Sequence, residues 1–256
     1  MIPRLYIDGP LHSGLPAPLS AEQVHYLKNV LRRGEGDELR LFNGRDGEFA
    51  ATIVELKKKM GAAQVGEQTR EQEAEPDLTL YFAPVKRGAL EFIVQKAVEV
   101  GVARLQPVIT ERTVAPKLNI YRLQAIATEA AEQCGRLTVP SVGEPIKLAK
   151  LLENWPGHRR LLFCDEAGDD EHEEWGGRVG RARPMLEALK SADSNSDGWS
   201  VLTGPEGGFS PGERQDLRTK PYVTPATLGP RILRADTAAI AALVLWQAAL
   251  GDWRKS

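Results

Sequence analysis

The alternation of hydrophobic and polar positions divides the chain into two parts, and the first part is strand-rich. Up to about residue 70, short runs of β-forming residues are separated by turn sequences such as Asn43-Gly44 and Asp46-Gly47. Runs joined by such turns predict antiparallel hairpins, so we expect a small β-barrel. Its predicted strands are Arg4–Ile7, Glu38–Phe42, Glu48–Leu56 and Ala63–Val65.

One helix interrupts this series of strands. Ser20 followed by Gln23 is a capping-box signature, in which two side chains satisfy backbone amides at the start of a helix. Apolar residues then recur at helical spacing, which predicts a helix over this stretch. The apolar positions are Val24, Leu27, Val30 and Leu31.

The second part alternates strands with helices. A polar, acidic stretch at residues 71–77 follows the first domain (1–70), and we interpret it as a linker to a second domain (78–256). Strand–helix alternation predicts an α/β fold with a mainly parallel sheet covered on both faces. The predicted strands are Leu78–Ala83, Leu105–Ile109, Leu161–Cys164, Trp199–Thr203 and Tyr222–Thr227, and the helices are Ala89–Val100, Leu118–Cys134, Pro184–Leu189 and Ala238–Leu250.

Two of these strands run into loops that are rich in glycine and proline. Residues 204–210 read Gly-Pro-Glu-Gly-Gly-Phe-Ser, and residues 228–234 read Leu-Gly-Pro-Arg-Ile-Leu-Arg. Open α/β sheets bind ligands at the carboxyl ends of their strands, so the loops predict a cofactor pocket built largely from main chain. The first loop has neither the sequence of a phosphate-binding P-loop nor the spacing of the dinucleotide fingerprint. A tight strand–helix connector is the alternative for the first loop taken alone.

The second loop favours an adenine-containing ligand. The pairs Leu228-Gly229 and Ile232-Leu233 offer apolar side chains and exposed amides, which suit a purine ring. Arg231 and Arg234 add positive charge beside them. Asp236 opens the last helix and is a candidate N-cap as well as a candidate functional carboxylate.

Composition and charge restrict the function classes only weakly. The 256-residue chain has a net charge of −2, and residues 165–174 hold seven carboxylates without a Lys or Arg. RNA binding would therefore depend on local basic surface. We interpret residues 168–198 as an exposed, partly mobile excursion with one helical piece. Two cysteines, no signal peptide and no membrane-spanning stretch predict a cytoplasmic protein with reduced thiols, and the four histidines lack metal-ligand spacing.

The two loops together resemble the closing motifs of the SPOUT methyltransferases, and most closely those of the ribosomal RNA small subunit methyltransferase E family. That family methylates N3 of a uridine in 16S rRNA. The resemblance covers most of the chain, with departures at Cys134, at Asp236 and in the long acidic stretch after Gly168. Further matching positions are His25, Val30-Leu31-Arg32, Phe42-Asn43-Gly44, Gly47-Glu48, Lys86, Gln95-Lys96-Ala97, Glu99, Gly101-Val102, Pro107, Glu111-Arg112, Glu132-Gln133, Arg136 and Pro140.

The resemblance implies a fold, a cofactor and partners. It implies a C-terminal trefoil-knotted domain, with the knot and the cofactor site at about residues 199–240, preceded by a PUA-like, RNA-binding barrel. The implied cofactor is S-adenosylmethionine, without a metal. The implied partners are 16S rRNA in the small ribosomal subunit and a second copy of the chain. The final helix has an apolar face that fits either such a dimer or the intramolecular core, made of Ile240, Leu243, Val244, Trp246 and Leu250.

Residue roles follow from this resemblance and from the chemistry of methyl transfer to a weakly acidic N–H. We expect Arg136 and Arg234 to hold the uracil carbonyl oxygens, and Glu206, before Asp236, to accept the proton. Loop-locking by Glu206 and a salt bridge at Arg136 are the structural alternatives. The expected cofactor-binding residues are Leu202, Thr203, Gly204, Glu206, Gly207, Gly208, Leu228, Gly229, Ile232, Leu233 and Arg234. The expected RNA-binding residues are Arg4, His25, Arg32, Arg33 and Lys86.

Three other functions compete with this interpretation. The same fold could methylate a ribose 2′-hydroxyl, or it could bind RNA without catalysis. A nicotinamide-dependent oxidoreductase is more distant, because the dinucleotide fingerprint is missing after residues 78–83. Analysis of the methylated nucleoside separates the first, and calorimetry with S-adenosylmethionine separates the second.

Overall fold

The computed structural model describes residues 2–114, 117–170, 172–191 and 198–254. Two compact units are present: Met1–Ala74 with Thr128–Val139, and Glu75–Ala127 with Pro140–Ser256. The first unit therefore includes residues 128–139, which the sequence analysis assigned to the second domain. Part of the predicted excursion, Glu171 and residues 192–197, lies outside the described residues.

The first unit is built on a five-stranded sheet with the order β1-β3-β4-β5-β2. Strands β1 and β3 are parallel and the other neighbours are antiparallel. The β2 strand was not predicted, because prolines 16 and 18 argue against a strand. It lies at the sheet edge, where a missing N–H is tolerated. The strands are β1 Arg4–Tyr6, β2 Pro16–Leu19, β3 Glu38–Phe42, β4 Glu48–Leu56 and β5 Gly61–Arg70.

The predicted helix of the first unit is present in a modified form. Helix α1 (Ala21–His25) begins with the expected capping box between Ser20 and Gln23. It then widens into a π-helical turn at Tyr26–Val30. A π turn changes the residue spacing, and Val30 is 60% exposed instead of continuing the apolar face. That part of the predicted stripe is wrong.

The second unit contains a parallel sheet with the order β11-β13-β10-β12-β6-β7-β8, in which β9 also pairs with β7. Every pairing is parallel. All residues of β6 and β12 are buried, as expected for central strands covered on both faces. The strands are β6 Leu78–Phe82, β7 Arg104–Ile109, β8 Ser141–Val142, β9 Ile146–Lys147, β10 Arg160–Cys164, β11 Arg183–Pro184, β12 Trp199–Thr203 and β13 Val223–Thr227.

The described residues form six further helices, of which four were predicted. Helix α7 packs against α2, and the buried Gln247 side chain donates to the Val100 carbonyl at 2.7 Å. Leu243 and Trp246 of the predicted apolar face belong to the intramolecular core, whereas Ile240 and Val244 are half-buried. The helices are α2 Arg87–Glu99, α3 Ile120–Cys134, α4 Leu148–Glu153, α5 Met185–Lys190, α6 Pro211–Thr219 and α7 Ala235–Leu250, and short 3-10 turns lie at Glu174–Gly176 and Asp252–Arg254.

Helix α6 was missed although its start is signalled in the sequence. Ser210 and Glu213 form a complete capping box, and Pro211 occupies the first turn. Leu217 is its buried residue, so an apolar stripe is absent and periodicity alone does not detect the helix. This helix supplies two arginines to the candidate site.

Candidate active site

The site lies where three neighbouring parallel strands end. Strand β10 pairs with β12 on one side and with β13 on the other, so their carboxyl ends are adjacent. The two predicted loops follow β12 and β13, which are successive strands in the chain but are separated in the sheet by β10. The loop after β10 lies between them, and the sequence analysis did not assign it to the site.

A cavity of about 550 Å³ occupies this edge of the sheet. It is lined by all three loops, so the structure brings the two glycine loops to one place. Predicted cofactor residues that line it are Thr203, Gly204, Glu206, Gly208, Ile232 and Leu233. The predicted residues outside its lining are Leu202, Gly207, Leu228, Gly229 and Arg234.

Aromatic rings fill the space beside two glycines of the first loop. An ideal Cβ at Gly204 would lie 2.7 Å from the Phe209 ring, and one at Gly208 would lie 3.0 Å from the Trp175 ring. Gly208 also has φ +66°, a conformation that favours glycine. Packing against these aromatic rings therefore requires glycine at both positions, in addition to the predicted need for exposed backbone groups.

Glu206 projects from the same loop with a free carboxylate. Its side chain is exposed and lines the cavity. Within the described part of the chain no hydrogen bond or ion pair holds that carboxylate. The turn is closed instead by the Gly208 amide, which donates to the Pro205 carbonyl at 2.9 Å. Loop-locking by the Glu206 side chain is therefore wrong, and the carboxylate remains available to a ligand.

A carboxylate between two arginines forms the base of the middle loop. Asp165 has a side chain that is 1% exposed, directly after β10. Arg214 Nε donates to its Oδ1 at 2.8 Å, and the Arg218 guanidinium contacts its Oδ2 at 2.7 Å. Both arginines also contact Asp169 at 3.2 Å. The start of the acidic stretch is therefore held against α6, whereas Asp169 itself is exposed, as predicted for residues 168–198.

Glu166 connects the middle loop to the end of β13. Its Oε2 accepts from the Thr227 hydroxyl at 3.0 Å, and its Oε1 accepts from the Leu228 amide at 3.1 Å. Burial raises the pKa of the Glu166 carboxyl, and the two hydrogen bonds oppose that rise. Glu166 therefore fixes the point at which the second glycine loop leaves the sheet. Two successive carboxylates after a buried strand, Asp165 and Glu166, were the available sequence signal.

The second loop leads into α7, and two of the predicted catalytic residues lie at this junction. Arg234 is the N-cap position of α7 and has an exposed side chain. Asp236 lies within the first turn and is not the N-cap. Its Oδ1 accepts from the Thr237 amide at 2.7 Å, so this carboxylate is already engaged at the helix start.

Arg112 is a further cavity residue that no predicted role included. Its side chain lines the cavity, and its Nη1 donates to the Gly207 carbonyl at 3.1 Å. The neighbouring Glu111 amide donates to Glu213 Oε1 at 2.8 Å. The segment after β7 thus braces the first glycine loop.

Arg136 belongs to the first unit, whereas the residues that line the cavity belong to the second. Its Nη2 donates to the Thr138 hydroxyl at 3.0 Å, and its carbonyl accepts from Arg4 Nη2 at 2.6 Å. Nearby, the Tyr6 amide donates to Glu132 Oε1 at 2.9 Å, and burial raises the pKa of Glu132 to about 7.

Arg4 has a structural role within the first unit, and its RNA contact stays a prediction. Its side chain is 15% exposed and forms a salt bridge to Glu48 at 2.7 Å. The guanidinium lies over the Phe42 ring, 4.5 Å from the centroid. Every guanidinium nitrogen donates within the first unit, which leaves little for a phosphate. The carbonyl acceptors are those of Ala131, Glu132 and Arg136.

The other predicted RNA contacts are more accessible. His25 is exposed, and its Nδ1 lies 2.8 Å from Asn29 Nδ2. Arg32 is exposed, with φ +54°. Arg33 is half-buried, 3.9 Å from Asp37 Oδ1. In the second unit, Lys86 is exposed at the N-cap of α2.

Neither a metal site nor a membrane span is found in the described ranges. No group of three or more His, Cys, Asp or Glu side chains among these residues is arranged to hold a metal ion. None of the helices described there combines the length and the apolar character needed to cross a bilayer.

Comparison with known proteins identifies the family. A family model described as RNA methyltransferase domain matches residues 72–247, and one described as RNA methyltransferase PUA domain matches residues 19–60. The ribosomal RNA small subunit methyltransferase E of Rickettsia conorii is 34% identical over 94% of this chain and 93% of its own length. The chain belongs to the ribosomal RNA small subunit methyltransferase E family.

Other members of the methyltransferase E family agree over most of the chain. The Synechocystis member is 37% identical over 88% of this chain and 70% of its own length. A crystal structure of the Neisseria gonorrhoeae member, bound to S-adenosyl methionine, has a TM-score of 0.83 at 30% identity and covers 99% of this chain and 100% of that one. The predicted family, the α/β class and the N-terminal PUA domain are thereby confirmed, whereas the knot stays a prediction.

Proposed function

We propose that this protein transfers a methyl group from S-adenosylmethionine to N3 of a uridine in 16S rRNA of the small ribosomal subunit. Its relatives are named as small-subunit rRNA methyltransferases, and the Neisseria structure holds this donor. The observation that carries the proposal is the cavity that both glycine-rich loops line. A ribosomal RNA substrate implies the cytoplasm as the place of action.

The cavity fits the donor in size and in chemistry. Its volume of about 550 Å³ falls within the roughly 300–1,000 Å³ of small-molecule pockets. Phe209, Ile232 and Leu233 offer apolar surface to a purine ring. The Glu166 carboxylate, which also lines the cavity, suits a positively charged sulfonium and ammonium. When bound, S-adenosylmethionine supplies an electrophilic methyl group on a positively charged sulfur.

The chain's own residues have to activate a weak nucleophile. The N3–H of uridine is only weakly acidic, so its proton must leave as nitrogen bonds to the methyl carbon and the carbon–sulfur bond breaks. We assign proton acceptance to Glu206, directly or through water, because its carboxylate is free whereas Asp236 is engaged. Arg136 and Arg234 are assigned to the uracil carbonyl oxygens, where positive charge stabilises the developing anion.

We further propose that the protein acts as a homodimer and holds RNA through its PUA unit. Half-buried apolar side chains on α7, at Ile240, Val244 and Leu245, support a contact with a second copy. In the PUA unit, the exposed His25 and Arg32 are the candidates for positioning contacts to RNA. Sedimentation of the purified protein tests the dimer, and a monomer at micromolar concentration would contradict it.

The decisive experiment is nucleoside analysis of rRNA by mass spectrometry. Deletion of the gene is expected to remove one 3-methyluridine from 16S rRNA, and the wild-type gene is expected to restore it. Loss of a 2′-O-methylated nucleoside instead would identify the ribose methyltransferase alternative. An unchanged nucleoside profile, together with RNA binding, would support a non-catalytic module. Incubation of free 16S rRNA and of assembled subunits from the deletion strain identifies the physiological substrate.

Glu206→Gln tests the proton acceptor. We expect kcat to fall by about 10²- to 10⁴-fold, as when a general base is removed, with the Kd for S-adenosylmethionine within about threefold of wild type. Glu174→Gln is the matched control, since Glu174 is exposed and does not line the cavity. Unchanged turnover in Glu206→Gln would remove Glu206 from this role.

Arg136→Ala tests the anion-stabilising role separately. Turnover is expected to fall while donor binding, measured by calorimetry, is retained. A lost affinity for the donor with normal residual chemistry would contradict the assignment.

A further inference from the structure

The segment after β10 folds into a closed loop. We call residues 165–181 the acidic loop, of which Glu171 lies outside the described part. The loop doubles back on itself through backbone hydrogen bonds and contains the 3-10 turn at Glu174–Gly176. The closing bonds run from the Gly168 amide to the Trp175 carbonyl at 2.8 Å, from Asp169 to Val179 at 2.7 Å and from Asp170 to Gly176 at 3.0 Å.

Helix α6 holds this loop against the sheet edge. Arg214 donates to the carbonyls of Ala167 at 2.8 Å and Gly168 at 2.9 Å, and Arg218 donates to that of Gly180 at 2.8 Å. These bonds add to the ion pairs that both arginines make at the loop's first residue. The loop is therefore anchored at both of its ends.

This anchoring places Trp175 at the cavity. Its side chain lines the cavity and lies against Gly208, where an ideal Cβ would be 3.0 Å from the ring. Trp175 has φ 56°, which is uncommon for a residue other than glycine and costs backbone energy. Surrounding structure thus holds the indole there, and the apolar residues Ile232 and Leu233 line the same cavity.

We propose that Trp175 is a binding residue for S-adenosylmethionine, with its indole as one wall of the donor site. This inference rests on the proposed function. An indole offers a large apolar face to the adenosyl group and attracts a cation through its π electrons, which suits a sulfonium. The acidic loop, which sequence reasoning left without a role, thereby becomes part of the cofactor site.

Calorimetric titration with S-adenosylmethionine tests the inference without relying on turnover. For Trp175→Ala we expect the Kd to rise about tenfold, and for Trp175→Phe by less than about threefold, because an aromatic face remains. Val179→Ala, in the same loop but 70% exposed, and Trp253→Ala, at an exposed tryptophan, are expected to bind as wild type does.

A second substitution keeps the test independent of loop folding. Gly208→Ala brings a Cβ against the indole, so it is expected to weaken donor binding in the wild type and to weaken it less in the Trp175→Ala background. Equal effects in both backgrounds, or wild-type affinity in Trp175→Ala, would overturn the inference. A raised KM for rRNA with unchanged donor affinity would assign the indole to the target base and overturn it as well. Failure of the wild type to bind the donor would instead contradict the proposed function.

Discussion

At the amino end of the parallel sheet, Arg159 directly precedes β10 and binds residues at the starts of β6 and β12, whereas at the carboxyl end Arg214 and Arg218 bind the acidic loop. Arg159 has a side chain that is 11% exposed and forms a two-pronged pair with Asp77 at 2.6 and 2.8 Å. Its remaining acceptors belong to the first residues of β6 and β12 or to residues beside them. They are the Asp77 and Trp199 carbonyls and the hydroxyls of Thr79 and Ser200.

The comparison shows that one kind of ion pair serves two purposes. At the amino end the arginine joins strands to each other, and its donors are used on backbone and side chains of the sheet. At the carboxyl end the arginines join Asp165 to the acidic loop, and a cavity of about 550 Å³ remains beside them. We infer that the amino end chiefly determines stability, while the carboxyl end determines stability and donor binding together.

The largest effect is expected for Asp165→Ala. Removing this carboxylate leaves two arginines without their buried partner, and such losses cost about 3–5 kcal/mol of the free energy of unfolding. Donor affinity is expected to fall as well, since the acidic loop loses its base. Urea denaturation and calorimetry measure the two quantities. Asp169→Ala is the matched control and should change stability by less than about 1 kcal/mol, because Asp169 is 47% exposed.

A somewhat smaller loss of stability is expected for Arg159→Ala. The lost charge-assisted hydrogen bonds predict about 2–4 kcal/mol from urea denaturation. Donor affinity is expected to stay within about twofold of wild type, because the substitution lies at the opposite end of the strands. Arg104→Ala, at an exposed strand start, is the control. A parallel loss of donor affinity in Arg159→Ala would break the distinction between the two ends.

Removing a helix cap separates stability from binding on a smaller scale. Ser210→Ala removes the cap of α6, and Ser20→Ala removes the equivalent cap of α1, each at about 0.5–2 kcal/mol. Only Ser210→Ala is expected to weaken donor binding, because α6 carries the arginines that anchor the acidic loop. Thermal unfolding and calorimetry on both variants check this, and equal donor affinities would contradict it.

The subtlest expected difference is an opposite dependence on pH. Hydrogen bonds from Arg159 lower the pKa of Asp77 below its ordinary 3.8, so the stability that Asp77 contributes is present above that pH and is lost on acidification. Burial raises the pKa of Glu166 above its ordinary 4.5, so its contribution is present below that pH and is lost as the pH rises through the folded-state pKa.

Urea denaturation between pH 3.5 and about 8, against Asp77→Asn and Glu166→Gln, measures these two contributions. The advantage of wild type over Asp77→Asn should shrink toward acid. The free energy of unfolding of wild type, relative to that of Glu166→Gln, should decrease as the pH rises. If both stability differences changed with pH in the same direction, one of the two assigned pKa shifts would be incorrect.

Much of the fold follows from local sequence because its elements carry local signals. Strands β3, β4 and β12 have the predicted bounds, and the apolar stripe of α2 is fully buried. Two of the missed elements lack an apolar pattern: β2 contains two prolines, and α6 has one buried apolar residue, although a capping box marks its start. The π turn after α1 changes the residue spacing on which the prediction of its apolar face relied.

The candidate site was predictable only in part, since its middle wall depends on sheet order. Glycine and proline marked the two outer loops, but nothing local indicates that β10 lies between β12 and β13. Asp165 is separated from Arg214 by 49 residues and from Arg218 by 53, and a long-range ion pair has no periodicity to reveal it. The role of Trp175 likewise depends on how the acidic loop doubles back.

The central place of β10 also bears on how this enzyme could be altered. The connection after that strand lies between the two glycine loops, so its length can be changed without altering the sequence of either loop. Directed evolution toward bulkier sulfonium donors would therefore begin with libraries in the acidic loop, where length and aromatic content can vary while the sheet beneath stays intact.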